Sequence, residues 1–183
     1  MRASEHDGNV KIIELLLSKG ANANDISDTG WSPLLAASRR GHVSVIELLL
    51  SKGANVNGKS NGGCSPIIHA SIRGHLRAVD LLLSKGANIN DRDNNGWSPI
   101  LYASSESRVI VFELLLSKGA NLNDVTLSGL TVMSVLPSVR EKNILQKWPI
   151  TMAILIFKEL SIYHQTDAST LIDLYQHKRE ETF

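Results

Sequence analysis

Cysteine is almost absent from this sequence: Cys64 is the only one. A lone thiol excludes an intramolecular disulfide framework and any multi-cysteine zinc site. Excess charge of either sign is missing too. The 19 Lys and Arg residues face 18 Asp and Glu, for a formal net charge of +1. The global basic excess of an autonomous nucleic-acid binder is therefore lacking. No Asn-x-Ser/Thr sequon occurs, and the opening MRASEHDGNV is too polar for a secretory leader. The longest apolar stretch, Ile150–Phe157, falls far below the roughly 18 residues that a membrane helix needs. What remains is a chain of 183 residues, 43% of them hydrophobic, which is too apolar for disorder. A soluble, intracellular, cytoplasmic protein is expected, with no membrane and no nucleic-acid partner.

What the chain does have is periodicity. The string LLLSKGAN starts at Leu15, Leu48, Leu81 and Leu114, at a constant spacing of 33 residues. Ser-Pro pairs keep the same spacing at Ser32-Pro33, Ser65-Pro66 and Ser98-Pro99, each two residues after a glycine (Gly30, Gly63, Gly96). A fourth copy survives at Gly129 and Thr131, with Val132 in place of proline. Self-similarity at a fixed period is the mark of a stacked array of small units.

Each part of the unit has a local reading. The glycine suits the positive φ of a tight turn. Ser32, Ser65 and Ser98 are placed to cap a helix through the hydroxyl, and Pro33, Pro66 and Pro99 then fall at N1, where no N–H is missed. The first helix is short and carries small residues such as Ala36, Ala37, Ala70, Ser71, Ala103 and Ser104. Gly41 and Gly74 end it in two units. The second helix, VIELLL and its cognates, is apolar on one face, with Glu47, Asp80 or Glu113 on the wet side. Lys52 suits the negative end of that helix, and Gly53 follows at C′.

This turn–helix–helix unit, carried by GWSPLLAASRRGHVSVIELLLSKGANVN and its sister copies, resembles the ankyrin repeat over roughly residues 1–130. The resemblance implies an all-α helix-turn-helix solenoid with β-turn or hairpin fingers, closed by a C-terminal helical cap. The register divides the chain into a partial unit (1–26), three full units (27–59, 60–92, 93–125), a degenerate unit (126–149) and a cap (150–183). There are departures. The histidine of the family's Thr-Pro-Leu-His is replaced by Leu35, Ile68 and Leu101. Gly-His between the helices survives as Gly41-His42 and Gly74-His75 but becomes Ser107-Arg108, where a longer or looser turn is expected. The family's Gly-Ala-Asp is Gly-Ala-Asn throughout.

The two ends are unequal. Ala3 aligns with Ala36 and Gly8 with Gly41, so the first unit lacks its turn and most of its first helix, leaving Ile12, Ile13 and Leu16 uncovered. A fragment of a longer repeat array is expected on that ground. At the other end Pro137 interrupts a fifth first helix. Helical segments are expected at 138–147, 150–163 and 168–179, the last capped by Asp167.

Three motif matches compete with the repeat. Gly53 to Ser60 fits the phosphate-loop pattern G-x-x-x-x-G-K-S, but that mechanism needs a strand before the loop and a helix after it. Here a helix precedes and a turn follows. Asp91 to Gly96 mimics the start of a calcium loop, yet its twelfth position is Tyr102 rather than a bidentate Glu. Cys64, His69 and His75 share a unit, but zinc usually takes four closely spaced ligands. No organised nucleophile and base stand out. No enzyme, cofactor or metal site is expected.

By the resemblance, the partner is a protein, bound through the finger tips and the concave first-helix surface. The tip residues are Asp28, Thr29 and Trp31, then Asn61, Gly62 and Cys64, then Asn94, Asn95 and Trp97; the helix-end residues are Arg39 and Arg40, Ile72 and Arg73, and Ser105 and Glu106. Trp31 and Trp97 lead this set, because exposed Trp is over-represented at binding hot spots. The competing reading is an indole that covers its own turn. Arg39, Arg40 and Arg73 would favour an acidic partner if the units stack in register. A monomeric scaffold without catalysis is expected. The alternative is an adaptor recruiting a ubiquitin ligase. Leu136-Pro137 with Ile144-Leu145 is similar to the opening of an F-box, although charged Arg140 and Glu141 stand where that motif is apolar.

Overall fold

Four positions recur as fully buried side chains: Leu34, Leu35, Ile46 and Leu49, then Ile67, Ile68, Val79 and Leu82, then Ile100, Leu101, Phe112 and Leu115. Each set lies 33 residues after the last, so every unit supplies the same small core. Burying one such side chain contributes about 1.5–3 kcal/mol. The register also explains the missing histidine. Leu35, Ile68 and Leu101 sit at 0–1% exposure, a place where an imidazole would need a buried partner.

These cores lie between two layers of helices. A computed structural model describes residues 3–135. Its helices are α1 (Ala3–Ser18), α2 (Pro33–Arg40), α3 (Val43–Ser51), α4 (Pro66–Arg73), α5 (Leu76–Ser84), α6 (Pro99–Ser105), α7 (Val109–Ser117) and α8 (Val132–Val135). The inner helices α2, α4, α6 and α8 pack on one another in chain order, and the outer helices α1, α3, α5 and α7 do the same. Each inner helix also packs on the outer helix that follows it in α2–α3, α4–α5 and α6–α7. The fold is thus an all-α repeat solenoid. Among the described residues the only β pairing is an isolated antiparallel bridge, Val125 to Thr131.

The fingers between units are hairpin turns with one repeated pattern. Ser27 N–H donates to Trp31 O at 3.0 Å and Gly30 N–H to Ser27 O at 2.8 Å, and the equivalents recur at Ser60, Asp93 and Thr126. A side-chain oxygen steadies three of these turns from inside: Ser27 Oγ accepts from Trp31 N, Asp93 Oδ1 from Trp97 N, and Thr126 Oγ1 from Leu130 N.

Asparagines bind one unit to the next. In each loop the first Asn turns on itself: Asn55 Oδ1 accepts from Asn57 N at 3.0 Å. The second Asn reaches across. Asn57 Nδ2 donates to Gly86 O at 3.2 Å while its Oδ1 accepts from Asn88 N at 2.9 Å, and Asn24 makes the same two bonds to Gly53 and Asn55. A third ladder joins the finger tips, with Asn61 Nδ2 donating to Asp28 O and Asn94 Nδ2 to Asn61 O.

Several local expectations need correction. Of the three serines only Ser32 caps its helix through the hydroxyl, accepting from Leu35 N at 3.2 Å. Ser65 and Ser98 hold the N-cap position, but their hydroxyls are buried without a partner, so proline at N1 defines those helix starts. Gly41 and Gly74 take left-handed φ values of 70° and 74° as expected. The third turn is one residue longer, as expected: α6 ends at Ser105, where α2 and α4 run to Arg40 and Arg73. Ser107 occupies the same left-handed position at φ 53°, and α7 begins on register. Arg108 replaces the histidine with the same bond: its Nε donates to Ile72 O at 3.0 Å, where His75 Nε2 meets Arg39 O at 3.1 Å. Gly8 does not end a first helix, because α1 runs through it. Glu113 is half-buried rather than on the wet side, and one carboxylate oxygen is buried without a hydrogen-bond partner. The helices expected at 138–147, 150–163 and 168–179, the cap they form and the F-box-like segment all lie outside the described residues.

Candidate functional site

Some of the residues singled out in the sequence meet in two clusters, each joining a finger to an inner helix. The first spans the second and third units. The Trp31 ring lies 4.6 Å from the His69 ring on α4, tilted by 31°. The Arg39 guanidinium stands over the same indole, 5.4 Å from its centre, in cation–π geometry. Arg39 and Arg73 are exposed at the ends of α2 and α4. Burial first, then the charges of Arg39 and Arg73, lower the His69 pKa to about 4, so the ring is neutral at pH 7. This cluster is therefore basic and aromatic.

The second cluster sits on the fourth unit. Trp97 packs 5.0 Å from Tyr102 of the inner helix that follows it, tilted by 32°. The Tyr102 hydroxyl donates to Asp93 Oδ2 at 2.7 Å. Burial, that bond and the nearby Asp93 carboxylate raise the tyrosine pKa, and Glu106 adds to the rise from the end of α6. Cys64 is half-buried, with Sγ 4.0 Å from Asp93 Oδ2, and burial followed by Asp93 and Asp91 raises its pKa. A raised thiol pKa disfavours the thiolate that nucleophilic chemistry requires.

The remaining tip residues divide between surface and scaffold. Asp28 and Thr29 are exposed, with Thr29 Oγ1 3.0 Å from Ser27 Oγ. Asn61 and Asn94 are exposed, but their amides are committed to the tip ladder. Asn95 N–H donates to Asp93 Oδ1 at 2.9 Å and Asn95 O accepts from Leu127 N at 3.0 Å. Ile72 and Ser105 are half-buried, Glu106 is exposed, and Arg40 lies beside α1. There a groove of about 420 Å³ runs between α1 and α2, lined by Ile12, Ile13 and Leu16 against Pro33 and Ala36. Pro33 is exposed where Pro66 and Pro99 are buried, because α2 has no inner helix packed ahead of it among the described residues.

His69, Tyr102 and Asp93 were missed as members of this surface. The signal was present: the position that is Ala36 in the second unit becomes His69 and then Tyr102, a change of size and chemistry within a near-constant frame.

The motif matches resolve into packing. Lys59 Nζ pairs with Asp91 Oδ1 at 2.7 Å and donates to Arg92 O at 2.8 Å. One unit later Arg92 pairs with Asp124 and donates to Val125 O. The lysine of the phosphate-loop match is thus one rung of a basic-to-acidic ladder along the stack. Asp93 spends both carboxylate oxygens on Asn95, Trp97 and Tyr102. His75 is used in the turn contact to Arg39 O. Among the described residues no group of three His, Cys, Asp or Glu side chains is placed to hold a metal ion, and no helix is long and apolar enough to cross a membrane.

A family model described as ankyrin repeats (three copies) matches residues 1–93 and 59–126. No curated protein matches the chain.

Proposed function

Since the chain belongs to the ankyrin-repeat family, whose repeats generally mediate protein–protein interactions and are typically non-catalytic, we propose that it is a scaffold that binds a protein partner through its fingers and inner helices. The observation that carries this reading is the contrast between constant and variable positions. The buried positions repeat aliphatic or aromatic residues in every unit. The positions facing outward from the fingers and inner helices change from Trp31 to Cys64 to Trp97, and from Arg40 to Arg73 to Glu106. A stiff frame with changing side chains on one face supplies specificity without altering the fold. Half-buried Trp beside Arg is the composition of a binding hot spot.

The partner surface consists of Asp28, Thr29, Trp31, Arg39, Arg40, Asn61, Cys64, Ile72, Arg73, Asn94, Asn95, Trp97, Ser105 and Glu106. The reading is of a cytoplasmic monomer with no nucleic-acid or membrane partner, supported by the near-zero net charge and a single free thiol. Affinity capture with the full chain, then hydrogen–deuterium exchange on the complex, tests it. Protection of the fingers and of α2, α4 and α6 is expected. Protection confined to α3, α5 and α7 overturns it.

A further inference from the structure

We propose that the two aromatic clusters form a bipolar seat, which takes a protein segment with carboxylates at one end, an apolar middle and a cationic side chain at the other. This rests on the finger and inner-helix face being the binding surface.

The argument starts from one register position at the end of each inner helix. Along the stack it reads Arg40, Arg73, Glu106. All three are exposed, and none is in an ion pair among the described residues. The sign of the surface therefore reverses between the third and fourth units. The aromatic pairs sharpen this. At the basic end Trp31 contacts both the Arg39 guanidinium and the His69 ring. At the acidic end Trp97 lies on Tyr102, whose hydroxyl is bound to the Asp93 carboxylate.

Two of the charged positions are held in place. Arg39 is steadied by the indole, and Glu106 is the C-cap of α6. Asp28, the carboxylate on the finger beside the basic cluster, pairs with none of the three arginines. Opposite charges at the two ends of one seat contribute modestly to affinity but fix the direction of the ligand, because the reversed ligand meets like charges at both ends. The aromatic rings between them suit an apolar middle.

The probe is a synthetic peptide with a glutamate-rich half, a leucine–serine middle and a lysine-rich half, carrying a nitroxide at either end. Binding is read by NMR on the full chain. The nitroxide on the acidic end should broaden the amides of residues 38–41 and 72–74, and that on the basic end those of residues 104–107. The double variant R39E/R73E should weaken the peptide at least about tenfold, from lost attraction and new repulsion. R73E alone, which leaves the Arg39–Trp31 contact intact, should weaken it severalfold. Failure of the peptide to bind, broadening near Glu106 from the acidic end, or tighter binding of an oligothymidylate than of the peptide overturns the proposal. If the captured partner still protects the inner face while the peptide fails, the charge pattern is wrong and the interaction surface stands.

Discussion

Ser107 carries a backbone strain that its counterparts avoid. At φ 53° it stands where Gly41 and Gly74 stand, and a side chain in this left-handed region costs of order 1–3 kcal/mol. Ser107→Gly is therefore expected to stabilise the chain by roughly 1 kcal/mol in urea denaturation. The opposite change shows the asymmetry. A β-carbon on Gly41 would approach the His75 ring to 2.6 Å, so Gly41→Ala adds a clash to the strain and should lower the unfolding midpoint. His69 makes a second expectation. Its folded pKa of about 4 lies below the unfolded 6.5, so between those values the unfolded chain binds the proton and the folded chain does not. The stability contributed is complete above about pH 6.5 and is lost as the pH falls towards 4. An NMR titration of the His69 ring should give a midpoint near 4, and R39Q/R73Q should raise it while burial keeps it below 6.5. A midpoint at the ordinary value in the unchanged chain would remove the described burial and charge environment.

Among the elements, the loops between units repay the closest look, because they show why a departure from the family pattern is tolerated. Where the family has Gly-Ala-Asp, this chain has Gly-Ala-Asn. The first Asn of each loop only accepts: Asn55 Oδ1 takes one backbone N–H. An Asp does that equally well. The second Asn both donates and accepts, as Asn57 does towards Gly86 O and Asn88 N. An Asp there has no N–H to give and sets a carboxylate against a carbonyl oxygen. Asn55→Asp should thus be nearly neutral, and Asn57→Asp should cost about 1–3 kcal/mol, the penalty of an unmet polar contact. Equal effects of the two changes in urea denaturation would show that the inter-unit ladder contributes nothing. The turn contacts make the same point about substitution by role. Arg108 looks like a loss of the Gly-His motif in the sequence, yet its guanidinium reaches the carbonyl of Ile72 as His75 reaches that of Arg39.

At the scale of the whole molecule, stacking decides what could be read beforehand. The 33-residue period and the all-α solenoid it implies were legible, since Leu35, Ile68 and Leu101 recur with the period and local patterning marks them as apolar. The surface was legible as a set of variable positions but not as contacts. Trp31 and Trp97 are equivalent in the register, yet Trp31 reaches forward to His69 on the next unit and Trp97 turns to Tyr102 on its own. That choice depends on which residue occupies the position after the helix start, Ala36 or Tyr102, and on the pitch of the stack, neither of which is local. The sequence context already argued against a phosphate loop at Lys59, but its pairing with Asp91 on the following unit depends on the stack. The central claim is that this face binds the partner, and the most direct measurement is calorimetric titration of the captured partner against three chains: unchanged, W31A/W97A, and R77A on the exposed side of the outer helix α5. The account predicts a loss of at least about tenfold in affinity for the double tryptophan variant, since hot-spot residues each contribute 2 kcal/mol or so, and no change for R77A. Undiminished affinity for W31A/W97A together with weakened binding to R77A would contradict it.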